Sequence, residues 1–269
     1  MTDRWADRAF LRGIQYQTDA NLAARQSIYH YQHPRLDLPA RVIDLAAPAV
    51  ADTIVDVGCG NGAYLAELVR RGLGTRVLGL DLSLGMLAAA RLRLSETDPR
   101  PALAGGDAAA LPLCDGAASL VLAPHMLYHV PEPADALREL RRVTRPGGRV
   151  VIVLNGAGHL RQLRAAVAAA GGGDPAVPAE RIRLDDGEVL ARSFFTHVTR
   201  HDFTAELRVP APGPIADYIR SMTGTQAAAA ADDADPDRIA DTAAHALPKD
   251  PDNNYVITSH SGCLIARVG

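Results

Sequence analysis

Apolar and polar positions follow two rhythms along this chain, and the first lies between residues 53 and 155. There, short unbroken apolar runs alternate with segments of helical period. Residues 53–57 read as a buried strand. Residues 61–71 read as a helix, with Leu65, Leu68 and Val69 on one face. Residues 76–80 form the second strand, and Ser83 is suited to cap a helix running through Leu94. A weak third strand surrounds Leu103. Residues 118–123 are a strand apolar on both faces, as parallel sheets require. Residues 133–143 are helical and stop at Pro146-Gly147-Gly148, and residues 149–154 form the fifth strand. Such repeats imply right-handed crossovers and a parallel sheet covered on both sides.

The flanking segments keep another rhythm. Residues 4–31 read as helices and hold Trp5, Phe10, Tyr16, Tyr29 and Tyr31, five of the chain's twelve aromatics. Pro34 and Pro39 interrupt them, and residues 40–50 suggest a short helix. After the fifth strand come a helix at 160–170 and a second at 215–222. Two alternating segments, 194–209 and 256–268, read as half-exposed strands. Residues 227–236 are an Ala/Asp stretch expected to be a surface loop.

Composition narrows the chemistry. With 269 residues, 48% of them apolar, the chain can bury one α/β domain and a small cap. Its formal charge of -3 argues against a nucleic-acid partner. Lys249 is the only lysine, so a phosphate-binding loop that needs lysine is excluded. A nicotinamide oxidoreductase needing Tyr-x-x-x-Lys fails for the same reason. Cys59, Cys114 and Cys263 are dispersed, which indicates neither a zinc knuckle nor a disulfide framework and suits a reducing cytoplasm. The amino terminus carries no apolar leader and no window is apolar enough to span a membrane, so no membrane association is expected.

The candidate chemistry begins at Asp56-Val57-Gly58-Cys59-Gly60-Asn61-Gly62, between a strand and a helix. Its glycines permit a tight turn and close backbone approach to a ligand. Gly58, Gly60 and Ala63 also fit a dinucleotide fingerprint. Asp56, however, is a poor neighbour for a pyrophosphate and a good one for an ammonium. Cys59 lacks a paired base and reads as a packing residue.

This run resembles motif I of class I S-adenosylmethionine (SAM) dependent methyltransferases, of the small-molecule, UbiE-like type. The likeness continues through Asp81-Leu82-Ser83, Gly106-Asp107-Ala108, the segment His125 to Val130, and Arg142-Val143-Thr144-Arg145-Pro146-Gly147-Gly148. It covers about residues 50–155. The resemblance implies a Rossmann-like α/β sheet of seven strands, order 3-2-1-4-5-7-6 with strand 7 antiparallel, and helices on both faces. It implies SAM as cofactor, seated by Asp56, Gly58, Cys59 and Gly60. Asp81 would accept the ribose hydroxyls. Leu82 and Met86 would press on the adenine, and Gly106, Asp107 and Ala108 would read its edge. Ala123 would lie close to the sulfonium.

Residues 1–50 are expected to form a helical lid or cap, with Tyr16 and Arg25 reaching the methionine end or, for Arg25, an acidic substrate. Residues 51–269 would be the SAM-binding domain, with a substrate-capping insertion at about 156–225 holding Arg161, Arg164 and His197. His125 and His129 are the catalytic candidates. A metal at this pair lacks a third ligand, and either histidine has an alternative structural role. The implied reaction is methyl transfer to O, N or C of a small metabolite, with secondary metabolism as the expected setting. The alternatives are a SAM-dependent cyclisation or rearrangement, and a degenerate partner subunit. A homodimer is compatible with such a chain.

Overall fold

The computed structural model describes residues 7–11, 16, 20–172, 181–222 and 235–269. A single turn, α1 (Arg8–Phe10), and α2 (Ala20–Ser27) precede a 3-10 turn, Ile28–Tyr31, and the short strand β1 (Gln32–His33). Then follow α3 (Leu38–Ala46), β2 (Thr53–Val57), α4 (Ala63–Arg70), β3 (Arg76–Asp81), α5 (Leu84–Arg93), β4 (Ala102–Gly105) and β5 (Ala118–Pro124). The chain continues through α6 (Pro133–Val143), β6 (Thr144–Asn155), α7 (Arg161–Ala169), α8 (Leu184–Arg192), β7 (His197–Val209), α9 (Pro212–Arg220), α10 (Pro236–His245) and β8 (Tyr255–Arg267).

All of the strands form one sheet in the order β1-β7-β8-β6-β5-β2-β3-β4. The seven strands from β7 to β4 have the expected order, and β8 runs antiparallel to both neighbours. The eighth, β1, pairs antiparallel with β7 through Gln32 and Leu207. At two residues it is too short for its period to show in the sequence. The sheet order reverses between β2 and β5, and open α/β sheets place ligands at the carboxyl ends of the strands flanking such a point.

Alternation along the central strands splits the core. Val55, Val57, Val121, Ala123, Val150 and Ile152 face one layer with the buried stripe of α6, Ala136, Leu137, Leu140 and Val143. Ile54, Leu120, Leu122, Val151 and Val153 face the other, against Val42 and Ile43 of α3 and Leu68 of α4. Each such Leu, Ile or Val is worth ~1.5–3 kcal/mol on burial. A separate cluster joins α7, α9 and α10 to Leu207, Val209, Tyr255 and Ile257 at one end of β7 and β8.

Two expectations need correction. Pro146-Gly147-Gly148 lies within β6: Ala118 pairs with Thr144 but Leu120 with Arg149, so residues 145–148 form a bulge, with Gly147 at φ 74. Helices α8 and α10 were not expected; Gly187 in α8 and the alanines of α10 obscure their periods. Trp5 and residues 227–234 of the expected Ala/Asp loop lie outside the described residues.

Candidate functional site

A cavity of ≈ 850 Å³ opens at the carboxyl ends of β2, β3 and β5, between the sheet and the amino-terminal segment. That volume suits a cofactor and a small partner. The glycine loop forms its floor. Gly58, Gly60 and Gly62 all have left-handed φ values, 71, 54 and 78. A Cβ on Gly58 would stand 2.6 Å from Met126 Cβ. The Gly58 and Cys59 amides donate to Leu80 O, at 2.8 and 2.9 Å, which ties the loop to β3.

Asp81 ends β3 on the cavity wall. One carboxylate oxygen accepts from the Gly60 amide and the other from the Ser83 amide, both at 2.8 Å. Each oxygen keeps a second lone pair for a ligand. Burial raises the Asp81 pKa, partly offset by these amides. Leu82, Met86, Gly106, Asp107 and Ala108 line the same wall. Asp107 accepts from the Ala109 amide at 2.9 Å and pairs with Arg8 at 2.6 Å.

Asp56 is placed differently from the expectation. Its carboxylate is fully buried beneath the loop, is not on the cavity wall, and has no hydrogen-bond partner. Burial, then the nearby Asp81, pushes its pKa up to about 8. The strand pleat turns it toward the Ile54 face, where the Tyr64 hydroxyl is likewise unpartnered. Ala123 is also buried away from the cavity, and its successors Pro124 and His125 form the wall instead. Cys59 borders the cavity, but its side chain packs with Leu65, Leu87 and Leu94, and burial pushes its thiol pKa up.

His125 and His129 both line the cavity but do not share a helix face. His125 has φ 53, and the 3-10 turn Leu127–His129 begins beyond it. A non-glycine residue in the left-handed region is stored strain, of the kind that concentrates at functional sites. The His125 ring makes no hydrogen bond to the described residues, and burial lowers its pKa to about 4. His129 Nε2 instead lies 3.0 Å from the Tyr16 hydroxyl.

The amino-terminal segment covers the site. Ser83 Oγ donates to Tyr16 O at 2.6 Å, and Asn61 Nδ2 to Gln26 Oε1 at 3.1 Å. Leu22, Arg25, Gln26 and Tyr29, spaced on one face of α2 and the following turn, all border the cavity. Arg25 Nε donates to Asn21 O at 3.2 Å and its guanidinium lies 5.3 Å from the Tyr16 ring centroid.

Sequence reasoning missed Tyr128, which packs on His129, and His159 and Tyr218, which line the cavity together. His159 Nδ1 accepts from the His260 amide at 3.1 Å, so the neutral ring carries its proton on Nε2 and donates to the Tyr29 oxygen at 3.1 Å. Burial lowers its pKa to about 3. Its position just past β6, beyond a strand's carboxyl end, was the available signal. Tyr218 lies on α9 and had none. Of the unranked candidates, Arg161 and His197 do not border this cavity, and Arg164 donates to Ala157 O. Among the described residues, no cluster of three His, Cys, Asp or Glu could hold a metal ion, and no helix is long and apolar enough to cross a membrane.

Residues 55–152 match the family described as methyltransferase domain. The chain is similar to an uncharacterized methyltransferase of Mycobacterium tuberculosis, 34% identical over 137 residues, covering 51% of this chain and 54% of that protein. It is similar to a ubiquinone biosynthesis O-methyltransferase of Thiobacillus denitrificans, 40% identical over 117 residues, covering 42% of this chain and 48% of that one. The chain thus spans about half the length of these relatives. Among solved structures, a phosphoethanolamine N-methyltransferase of Haemonchus contortus, in complex with S-adenosyl-L-methionine, shares the fold. Its TM-score is 0.63 at 19% identity, covering 100% of this chain and 61% of that one. Motif order and sheet order agree with this match of residues 55–152 to the methyltransferase domain.

Proposed function

We propose that this chain transfers the methyl group of SAM to an oxygen, nitrogen or carbon atom of a small molecule. The observation that carries the reading is Asp81: a carboxylate at the end of β3, fastened by the Gly60 and Ser83 amides, on the wall of a cavity large enough for cofactor and acceptor. The residues present fit the cofactor. The loop carries no side chain at Gly58, where a Cβ would collide with Met126, or at Gly60, whose φ of 54 favours glycine. Asp81 would hold the ribose hydroxyls. Leu82 and Met86 would hold the adenine, with Gly106, Asp107 and Ala108 at its edge. Tyr16, Gly58 and Gly60 would border the methionine half.

SAM supplies a methyl group already activated by its sulfonium. The protein's part is to align a nucleophile behind that methyl and exclude water. The cap does the second through Tyr16, Leu22 and Gln26. For the first, the neutral His125 ring and the Tyr29 hydroxyl offer an acceptor and a donor on the cavity wall. A base with its pKa near 4 accepts a hydrogen bond from an O–H or N–H group readily and a full proton only late. That proton arrives as the positive charge leaves the sulfur, so the site's net charge is conserved. The described residues of 1–50 serve as the cap, and those of 156–225 supply part of the acceptor's wall through His159, Tyr218 and Met222. The partner is a small molecule; a net charge of -3 argues against a nucleic acid.

Asp81→Ala tests this. Each charge-assisted hydrogen bond is worth about 1.5–3 kcal/mol, so losing two should weaken SAM at least ~100-fold in calorimetry. Unchanged affinity would refute the ribose role. Turnover should yield S-adenosylhomocysteine, and methylthioadenosine as main product would refute methyl transfer.

A further inference from the structure

Arg25 is the unexplained charge of this cavity. One terminal nitrogen of its guanidinium is buried and has no hydrogen-bond partner, and no carboxylate among the described residues pairs with it. Buried cations are ordinarily paired, because an uncompensated one costs several kcal/mol. The three acids that border the cavity among the described residues are engaged elsewhere. Asp37 accepts from the Ala40 amide, Asp81 from Gly60 and Ser83, and Asp107 from Ala109 and Arg8. Arg35, exposed on the same cavity, also has no ion-pair partner among the described residues. Among the described residues, the Arg25 guanidinium therefore faces the cavity with no carboxylate against it.

Position on the helix tells which ligand this charge awaits. Leu22 stands over Gly60 and Gln26 binds Asn61, so these two side chains serve the glycine loop. Arg25, one residue from Gln26, stacks on Tyr16 at the border of the methionine half and faces Tyr128 and Tyr218 beyond it, and neither of those two belongs to that loop. Tyr128 follows β5 and packs on His129, while Tyr218 lies on α9 at the end of the cavity that also holds His159.

We propose that the methyl acceptor bears a carboxylate and that Arg25, within its tyrosine walls, is the residue that holds it. A single guanidinium with one open nitrogen matches a monoanion; a phosphate dianion would ask for more donors than the site supplies. The proposal rests on the methyltransferase reading and specifies its substrate class.

The test uses the full chain loaded with S-adenosylhomocysteine. Benzoate, 4-hydroxybenzoate, the neutral 4-hydroxybenzamide and inorganic phosphate are titrated by ligand-observed NMR. The wild type should bind the carboxylates about tenfold more tightly than the amide, as expected for one charged hydrogen bond. Arg25→Gln should erase that preference and Arg25→Lys should keep part of it. S-adenosylhomocysteine affinity should change by less than about threefold in both. Without ligands, Arg25→Met should raise the melting temperature, because it removes an unpaired buried charge; a purely structural arginine would lower it. The proposal is overturned if the wild type shows no carboxylate preference or prefers phosphate. It is also overturned if Arg25→Gln weakens S-adenosylhomocysteine tenfold or more while the preference persists. Failure of the wild type to bind S-adenosylhomocysteine at all is a separate result, which removes the methyltransferase reading itself.

Discussion

Replacing Asp56 by Asn probes the electrostatics beneath the glycine loop. The carboxyl is fully buried and unpartnered, and its pKa moves from 3.8 to about 8, by burial first and by Asp81 second. An acid whose folded pKa lies above its unfolded one takes up a proton on folding. Its stability contribution is whole below the unfolded value, near pH 4, and is lost as pH rises through the folded value near 8. Each pH unit in that window is worth about 1.4 kcal/mol, so this group alone removes at most about 4 kcal/mol between pH 4 and pH 7. Asparagine has the same shape and an equally unpartnered side chain, but nothing to titrate. Urea unfolding of the unliganded protein between about pH 5 and pH 8 should show wild-type stability falling more steeply than that of Asp56→Asn. The two curves should meet near the acidic limit and separate by several kcal/mol at the alkaline one. Parallel curves would mean that Asp56 is ionised in the folded protein, and the burial argument would fail.

Two more outcomes follow from the same geometry. Gly58→Ala must place a Cβ 2.6 Å from Met126 Cβ at φ 71; it should cost about 1–3 kcal/mol in urea unfolding and weaken SAM in calorimetry, and an unaltered affinity would count against the close loop. Imidazole NMR, with His125→Gln as the blank, should place the His125 titration near pH 4; a midpoint near 6.5 would show that the ring is not desolvated.

The local signals in this chain were strong where one rhythm persisted. The all-buried run Ala118–Pro124 and the glycine loop after Thr53–Val57 were legible because parallel strands are apolar on both faces and because φ near +60° selects glycine. Asp81, Asp107 and the two histidines could be placed at strand ends for the same reason. Where rhythm was short or diluted, it failed: β1 has two residues, and α10 buries four residues of which three are alanines.

Side-chain direction was a different matter. The pleat of β2 sends Asp56 under the loop, and that of β5 sends Ala123 into the core, although both stand beside residues that do border the cavity. His125 and His129 have helical spacing, yet the left-handed turn at His125 separates their environments. The sequence by itself determined the order of strands and helices, the position of the turn, and which acids end which strands, because these follow from local periodicity and backbone sterics. Only the tertiary structure decided what faces the ligand. Arg25, Tyr128, His159 and Tyr218 come from segments far apart in the chain, and no spacing encodes their meeting. They converge because the cap and the carboxyl-terminal helices pack over the same sheet edge, and that packing leaves one guanidinium in want of an anion.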